Sequence, residues 1–275
     1  MHLPSRTAWS LLLPLISLGA VANAADSGII EVDLLFPRNE TYAPTEWMPF
    51  VFSIRNGELS KHLNPFLDYR GWNTSDLGDG GFDHTFDNIK WANWSGQDPY
   101  FVYHFRNDLQ TEGTWWLDWE YFFLSCKEDY TKQWGSGKPV FLNSTSRRIT
   151  FTIKEGGQAV DLVAATANDK TCSDQNIAAI NITGKTGYAP GAPRELPDEI
   201  CAVVGSPEPA ATPCQVKVDS AVAASMTASL RAKLCDPLRT LNPPADCPED
   251  SAAQRLAVAG VVCLAAAAGV IGFLA

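Results

Sequence analysis

"MPFVFSIRN", residues 48–56, alternates without a break: Met48, Phe50, Phe52 and Ile54 fall on one side of an extended chain, and Val51, Ser53 and Arg55 on the other. Successive side chains of a β-strand point to opposite faces, so a period of two marks a strand with one dry and one wet face. The same reading extends outward. "IIEVDLLF" (29–36) aligns Ile30, Val32, Leu34 and Phe36; "YFVYHFRN" (100–107) sets Phe101, Tyr103 and Phe105 against Val102, His104 and Arg106; "RRITFTIK" (147–154) sets Ile149, Phe151 and Ile153 against Arg148, Thr150, Thr152 and Lys154. "TWWLDWEYFFLSC" (114–126) is apolar on both faces and reads as a central strand, and "VDLV" (160–163) and "IAAINIT" (177–183) are weaker strand signals, the latter with Asn181 facing out. Short strands separated by turn-rich segments, with no helices between them, predict a mainly β protein: an antiparallel β-sandwich of immunoglobulin-like type.

Composition divides the chain. Of 29 aromatic residues, 26 lie between Phe36 and Phe151, whereas five of the six cysteines outside the final apolar stretch follow position 170. The division predicts an aromatic-cored β domain over 25–189 and a Cys/Pro-rich appendage over 190–250. The appendage holds one helix at about 219–234, with Asp219 or Ser220 as N-cap and Val222, Met226, Leu230 and Leu234 forming one apolar stripe. Cys126, Cys172, Cys201, Cys214, Cys235 and Cys247 form an even set, which in an exported chain implies up to three disulfides of unresolved connectivity. No pair has the short spacing of a zinc site, and no metal or other cofactor is implied.

Both ends are apolar. Residues 1–24 combine Arg6, an apolar core and Ala22-Asn23-Ala24, the three parts of a secretory signal. The last twenty residues, "LAVAGVVCLAAAAGVIGFLA" (256–275), are long enough at about 1.5 Å per residue to cross a bilayer. They lack the basic cytoplasmic flank of a permanent span. Small residues and a polar step before them, Asp250, Ser251, Ala252, Ala253, Gln254 and Arg255, fit a glycosylphosphatidylinositol signal over 251–275 that is removed on attachment at Ser251 or Asp250. Five sequons, at Asn39, Asn73, Asn93, Asn143 and Asn181, are the glycosylation candidates. These features place the protein outside the cell, on the outer leaflet of the plasma membrane or in the wall.

The opening "EVDLLFPRNETYAPTEWMPFVFSIRN", the strand "GTWWLDWEYFFLSC", the later cysteines and the apolar tail together resemble a family of secreted, often lipid-anchored fungal proteins of unknown function. The resemblance spans roughly residues 27–247. It implies location and supplies no catalytic residues.

The formal net charge of -10 excludes a phosphate backbone as a natural partner, because nucleic-acid binding rests on Lys and Arg neutralising phosphates. The main expectation is therefore a non-catalytic surface glycoprotein whose partners are wall polysaccharide or surface proteins and whose membrane contact is lipid. Two alternatives involve carbohydrate. Trp72, Trp91 and Trp94, in the long stretch 71–99, offer aromatic surface for a binding module. Asp118 and Glu120 share one strand face, as the paired carboxylates of a glycosidase must. The same stretch carries Asp76, Asp79, Asp83 and Asp87, oxygen donors of the type calcium takes, although without EF-hand spacing.

Overall fold

The computed structural model describes residues 26–75, 81–126, 140–167, 173–188, 200–238, 240 and 243–247. Within them ten strands and two α-helices follow one another: β1 (Ser27–Phe36), β2 (Thr41–Tyr42), β3 (Met48–Arg55), β4 (Phe66–Asn73), β5 (Gly81–Asn88), β6 (Tyr100–Arg106), β7 (Gly113–Cys126), β8 (Val140–Ile153), α1 (Leu162–Ala165), β9 (Ile177–Tyr188), β10 (Ile200–Gly205) and α2 (Ser220–Leu234). The protein is thus mainly β. Both apolar ends, with Asp250 and Ser251, lie outside the described residues, as do Asp76, Asp79 and Cys172. No helix among the described residues is long and apolar enough to cross a membrane.

Hydrogen bonds link the strands in the order β2-β8-β7-β10-β9-β1-β3-β6, with β4 on β7 and β5 on β4. The sheet is mixed, which corrects the expectation of a purely antiparallel one: β10 runs parallel to β7 at Val203 and Cys126, and β2 runs parallel to β8. Alternation reveals which face a residue occupies, but it says nothing about the direction of the neighbouring strand. One edge of β7 is shared, with β4 pairing residues 115–122 and β10 joining beyond them at Cys126. A disulfide between Cys126 and Cys201 fastens that junction, their Cα atoms 5.7 Å apart. Residues 200–205, which composition groups with the appendage, are therefore a strand of the sheet.

The sheet halves face each other across an aromatic layer. Phe50 of β3 stacks on Tyr69 of β4 with ring centroids 5.3 Å apart, and it meets Phe82 of β5 and Phe151 of β8 edge-on. Phe52 meets Trp119 of β7 edge-on at 5.7 Å. Edge-to-face and offset-stacked pairs are the preferred aromatic geometries, each contributing about 0.5–1.5 kcal/mol beyond burial. Gly71 makes room for this layer, since a Cβ there would lie 2.5 Å from the Phe82 ring.

The β3 alternation points Phe50 and Phe52 inward as expected, yet the opposite face of β3 is buried too. A further layer covers it, made of the segment that carries Val216 and Val218, both buried, and then α2, whose Met226 is buried. Asp219 caps α2 by accepting the Val222 N–H at 2.8 Å, and Cys235 at its end is bonded to Cys247. Cys214 is also disulfide-bonded.

This extra layer reverses the expected orientation of β6. In register with Phe50 and Phe52 stand His104 and Val102, whereas Phe101 and Tyr103 turn outward and line a depression with Val222 and Met226 of α2. The polar residues that face inward have partners. His104 Nε2 lies 2.8 Å from an Asp87 carboxylate oxygen, and Arg106 sits over the Phe82 ring while donating to Thr85 Oγ1 at 3.0 Å.

Two other expectations change. "VDLV" is the start of α1, because the Asp161 carboxylate accepts from the Val163 and Ala164 N–H groups at 2.9 and 3.0 Å and so caps a helical turn. The stretch 71–99 is not one long loop, since β5 pairs with β4 over most of its length.

Candidate functional site

The outer face of β5-β4-β7-β8 is the surface that the sheet leaves open. Outward positions on β4 are Phe66, Asp68, Arg70 and Trp72; directly opposite on β7 are Phe122, Glu120, Asp118 and Trp116. On β8, Ser144, Ser146, Arg148 and Thr150 continue the same rows. Register thus assembles, from four separated stretches, a face with aromatic pairs at both ends and charges between. Phe66 stacks on Phe122 at 4.6 Å, and Trp72 meets Trp116 edge-on at 5.5 Å. The two pairs stand six positions apart along β4, a distance of about 20 Å.

Between them lies a depression of about 380 Å³ lined by Asp68, Arg70, His84, Asp118, Glu120 and Arg148 among others. Arg148 grips Asp118 with both arms: Nε donates to one carboxylate oxygen and a terminal nitrogen to the other, the latter at 2.8 Å. The carboxylate raises the Arg148 pKa in turn. The same guanidinium stands over Trp116 and Trp72, 4.9 and 5.2 Å from their ring centroids, a cation–π arrangement. Arg70 lies 3.8 Å from Asp118 on the other side.

His84 links the first two strands of this face. Its Nδ1 is 2.6 Å from Asp68 Oδ2, and its Nε2 is 3.3 Å from Arg70. A guanidinium can only donate, so Nε2 accepts and Nδ1 carries the proton given to Asp68. Asp68 is 6% exposed, and its Oδ1 has no hydrogen-bond partner. Phe86, largely exposed, stacks on His84 at 5.4 Å.

The sequence-derived candidates are distributed unevenly over this geometry. Asp118, Glu120 and Trp72 belong to the face. Trp91 is 76% exposed with the Lys90 ammonium over its ring, and it lines a separate depression beside Asp87 and Tyr103. Trp94 packs edge-on against Tyr100 and closely over Gly57, where a Cβ would meet its ring at 2.3 Å. The three tryptophans therefore do not form one platform. Trp116, Arg70, Arg148, Asp68 and His84 are the members that sequence reasoning passed over. Arg148 is legible at a wet-face position of its alternating strand, whereas Asp68, Arg70 and His84 lie on β4 and β5, which the alternation does not reveal, and Trp116 on a strand apolar on both faces. Among the described residues, no three His, Cys, Asp or Glu side chains converge to hold a metal ion.

The sequons differ in what their amides do. Asn39 is exposed. Asn73 is only 1% exposed, and its Nδ2 donates to Glu112 O at 3.0 Å while its Oδ1 accepts from Ser75 N. Asn143 Nδ2 donates to Ser125 Oγ and to Phe141 O, at 2.8 and 2.9 Å. Asn93 is exposed and its Oδ1 accepts from Ser95 Oγ; Asn181 is half-buried against Gly205. A glycan is attached through Nδ2, so a buried and bonded amide disfavours it. Peptide mapping of the protein expressed through a glycosylating secretory pathway is expected to find sugar at Asn39 and none at Asn73; a fully occupied Asn73 would contradict this packing.

A family model described as a domain of unknown function (DUF7136) matches residues 25–247. No curated protein and no solved structure matches the chain.

Proposed function

Because the chain belongs to the DUF7136 family, whose description carries no activity, we propose a function from the site itself: a non-catalytic, exported glycoprotein that binds a polysaccharide along the outer face of β5-β4-β7-β8. The carrying observation is the pair of aromatic ends, Phe66 with Phe122 and Trp72 with Trp116, on one open strand face with charged groups between them. Sugar rings present apolar C–H faces that lie on aromatic rings and hydroxyls that bond to carboxylates and guanidiniums.

Binding is better supported than hydrolysis. A glycosidase needs one carboxyl free to donate a proton and a second free to attack or activate water. Both Asp118 oxygens are held by Arg148, which leaves that residue to position rather than to react.

The rest of the reading concerns place and fold. The secretory leader, the lipid-anchor signal and the sequons support a position on the outer leaflet or in the wall of a fungal cell, and the facing sheet halves support an immunoglobulin-like sandwich as the finer description. Wild-type protein is expected to be retained on insoluble wall polysaccharide, and Trp116→Ala to weaken retention about tenfold, the size of one lost aromatic contact of roughly 1.4 kcal/mol. A wild-type chain that passes unretarded over every polysaccharide tested sinks the binding reading. Failure of phosphatidylinositol-specific phospholipase to release the protein from cells would remove the lipid anchor alone.

A further inference from the structure

The centre of the open face carries a charge imbalance that its aromatic ends do not explain. Three carboxylates, Asp68, Asp118 and Glu120, share it with two guanidiniums, Arg70 and Arg148. Asp118 takes up both guanidiniums, Arg148 through two hydrogen bonds and Arg70 at 3.8 Å. Arg147, also at the rim, is turned away to Glu208 and to Ile177 O. His84 gives Asp68 a hydrogen bond from Nδ1, but its other nitrogen accepts from Arg70. Negative charge is left on one row.

That row is Asp68 and Glu120, which stand directly opposite each other on β4 and β7. Opposed cross-strand side chains have Cβ atoms about 4.5–5.5 Å apart, and like charges so placed repel. Glu120 has no hydrogen-bond or ion-pair partner among the described residues, and Asp68 Oδ1 is buried without one. A buried carboxylate oxygen without a donor is costly. Phe86 stands opposite Asp68 on the β5 side, and the Phe66–Phe122 stack occupies the next row. Two under-satisfied carboxylates beside flat apolar rings call for a ligand with a cationic donor next to an apolar face.

We infer that this row is a subsite for the primary ammonium of an amino sugar. The inference rests on the polysaccharide-binding reading and narrows it to polymers with free amines. A neutral hydroxyl could bond to Glu120 and still leave the charge of the row uncompensated. An ammonium supplies three donors and the missing positive charge together. N-acetylation removes the charge, so the site discriminates between glucosamine and N-acetylglucosamine units of the same chain.

Titration calorimetry with glucosamine hexamer, N-acetylglucosamine hexamer and a neutral β-glucan hexamer tests this at constant pH and ionic strength. Wild-type protein is expected to bind the glucosamine hexamer at least about tenfold more tightly than the other two, the size of one charge-assisted hydrogen bond. Glu120→Gln should bring the affinity for the glucosamine hexamer down to that for the two neutral oligomers, abolishing the preference. Because the whole chain is acidic, Glu46→Gln, an equal charge change at an exposed position away from the face, serves as control and should keep the preference. Equal affinity for the three oligomers overturns the ammonium subsite and leaves the polysaccharide reading standing. An equal loss in Glu46→Gln and Glu120→Gln also overturns it, because the attraction would then be diffuse. No binding of any oligomer overturns both.

Discussion

Replacing Trp119 by alanine is expected to cost about 3–5 kcal/mol of unfolding free energy, the range for removing a fully buried large aromatic. Trp119 is 1% exposed. Its ring meets Phe52 from the opposite sheet half, and its indole N–H donates to Gln175 O at 3.3 Å. Alanine would leave a cavity at the meeting point of the two halves, with an orphaned carbonyl beside it. Trp116, three residues earlier, points to the other side of the same strand and is half-buried. Its removal is expected to cost about 1 kcal/mol or less, as for surface positions, although it should weaken ligand binding. Urea denaturation of the two variants distinguishes the faces. Equal losses would mean that the inner and outer sides of β7 have been misassigned.

Asp33→Asn is expected to stabilise the protein at pH 8 and to make almost no difference at pH 4. Asp33 is 2% exposed on the outward side of β1, beneath the covering segment, and its Oδ2 has no partner. Burial pushes its pKa up to about 7, with Arg38 pulling the other way. The sign follows from proton binding. Below about pH 4 the carboxyl is protonated in both the folded and unfolded chain, so it contributes no difference. Between pH 4 and 7 the folded state holds the proton more tightly, and stability falls as pH rises. Above pH 7 the full cost of the buried charge is present. A rise of about three pKa units corresponds to about 4 kcal/mol at most, and relaxation around the site together with the loss of the Arg38 attraction brings the expected gain to about 1–3 kcal/mol. Denaturation midpoints at pH 4, 6 and 8 for both chains measure it. A constant difference across that range would show that Asp33 does not titrate with folding.

Strand identity was legible wherever one residue in two is apolar and the strand follows it. Ile149, Phe151 and Ile153 are buried, and their intervening neighbours are not. β7 reads as central because both its faces are apolar, and it does pair on both edges. Alternation misleads where two layers cover one strand. On β6, alternation alone puts the large aromatics on the inner face because they are apolar, but α2 offers a second apolar surface to Phe101 and Tyr103, and the inner face accepts His104 and Arg106 with defined partners. β5 was missed because "GFDHTFDN" carries Asp, His and Asn outward at an edge, where polarity is tolerated and loop composition looks the same.

The site was legible in fragments. Trp72, Asp118 and Glu120 are all on it: the two acids are legible from one face of β7, whereas Trp72 stands out only as an aromatic of the stretch 71–99. What joins them to Arg70, His84 and Arg148 is register across β5, β4, β7 and β8, set by long-range pairing that no local pattern encodes. Trp91 and Trp94 are near Trp72 in sequence, but the turns after β5 carry them elsewhere.

The covering helix also has a bearing on presentation. Cys247 is tied to the end of α2, and α2 lies on the side of the molecule away from the aromatic and charged face. Were the chain held by the proposed lipid anchor, the attachment would lie on the α2 side of the body. The grid of rings and charges is then displayed toward the surroundings, like a palm turned outward from the wrist, free to meet a long polymer broadside.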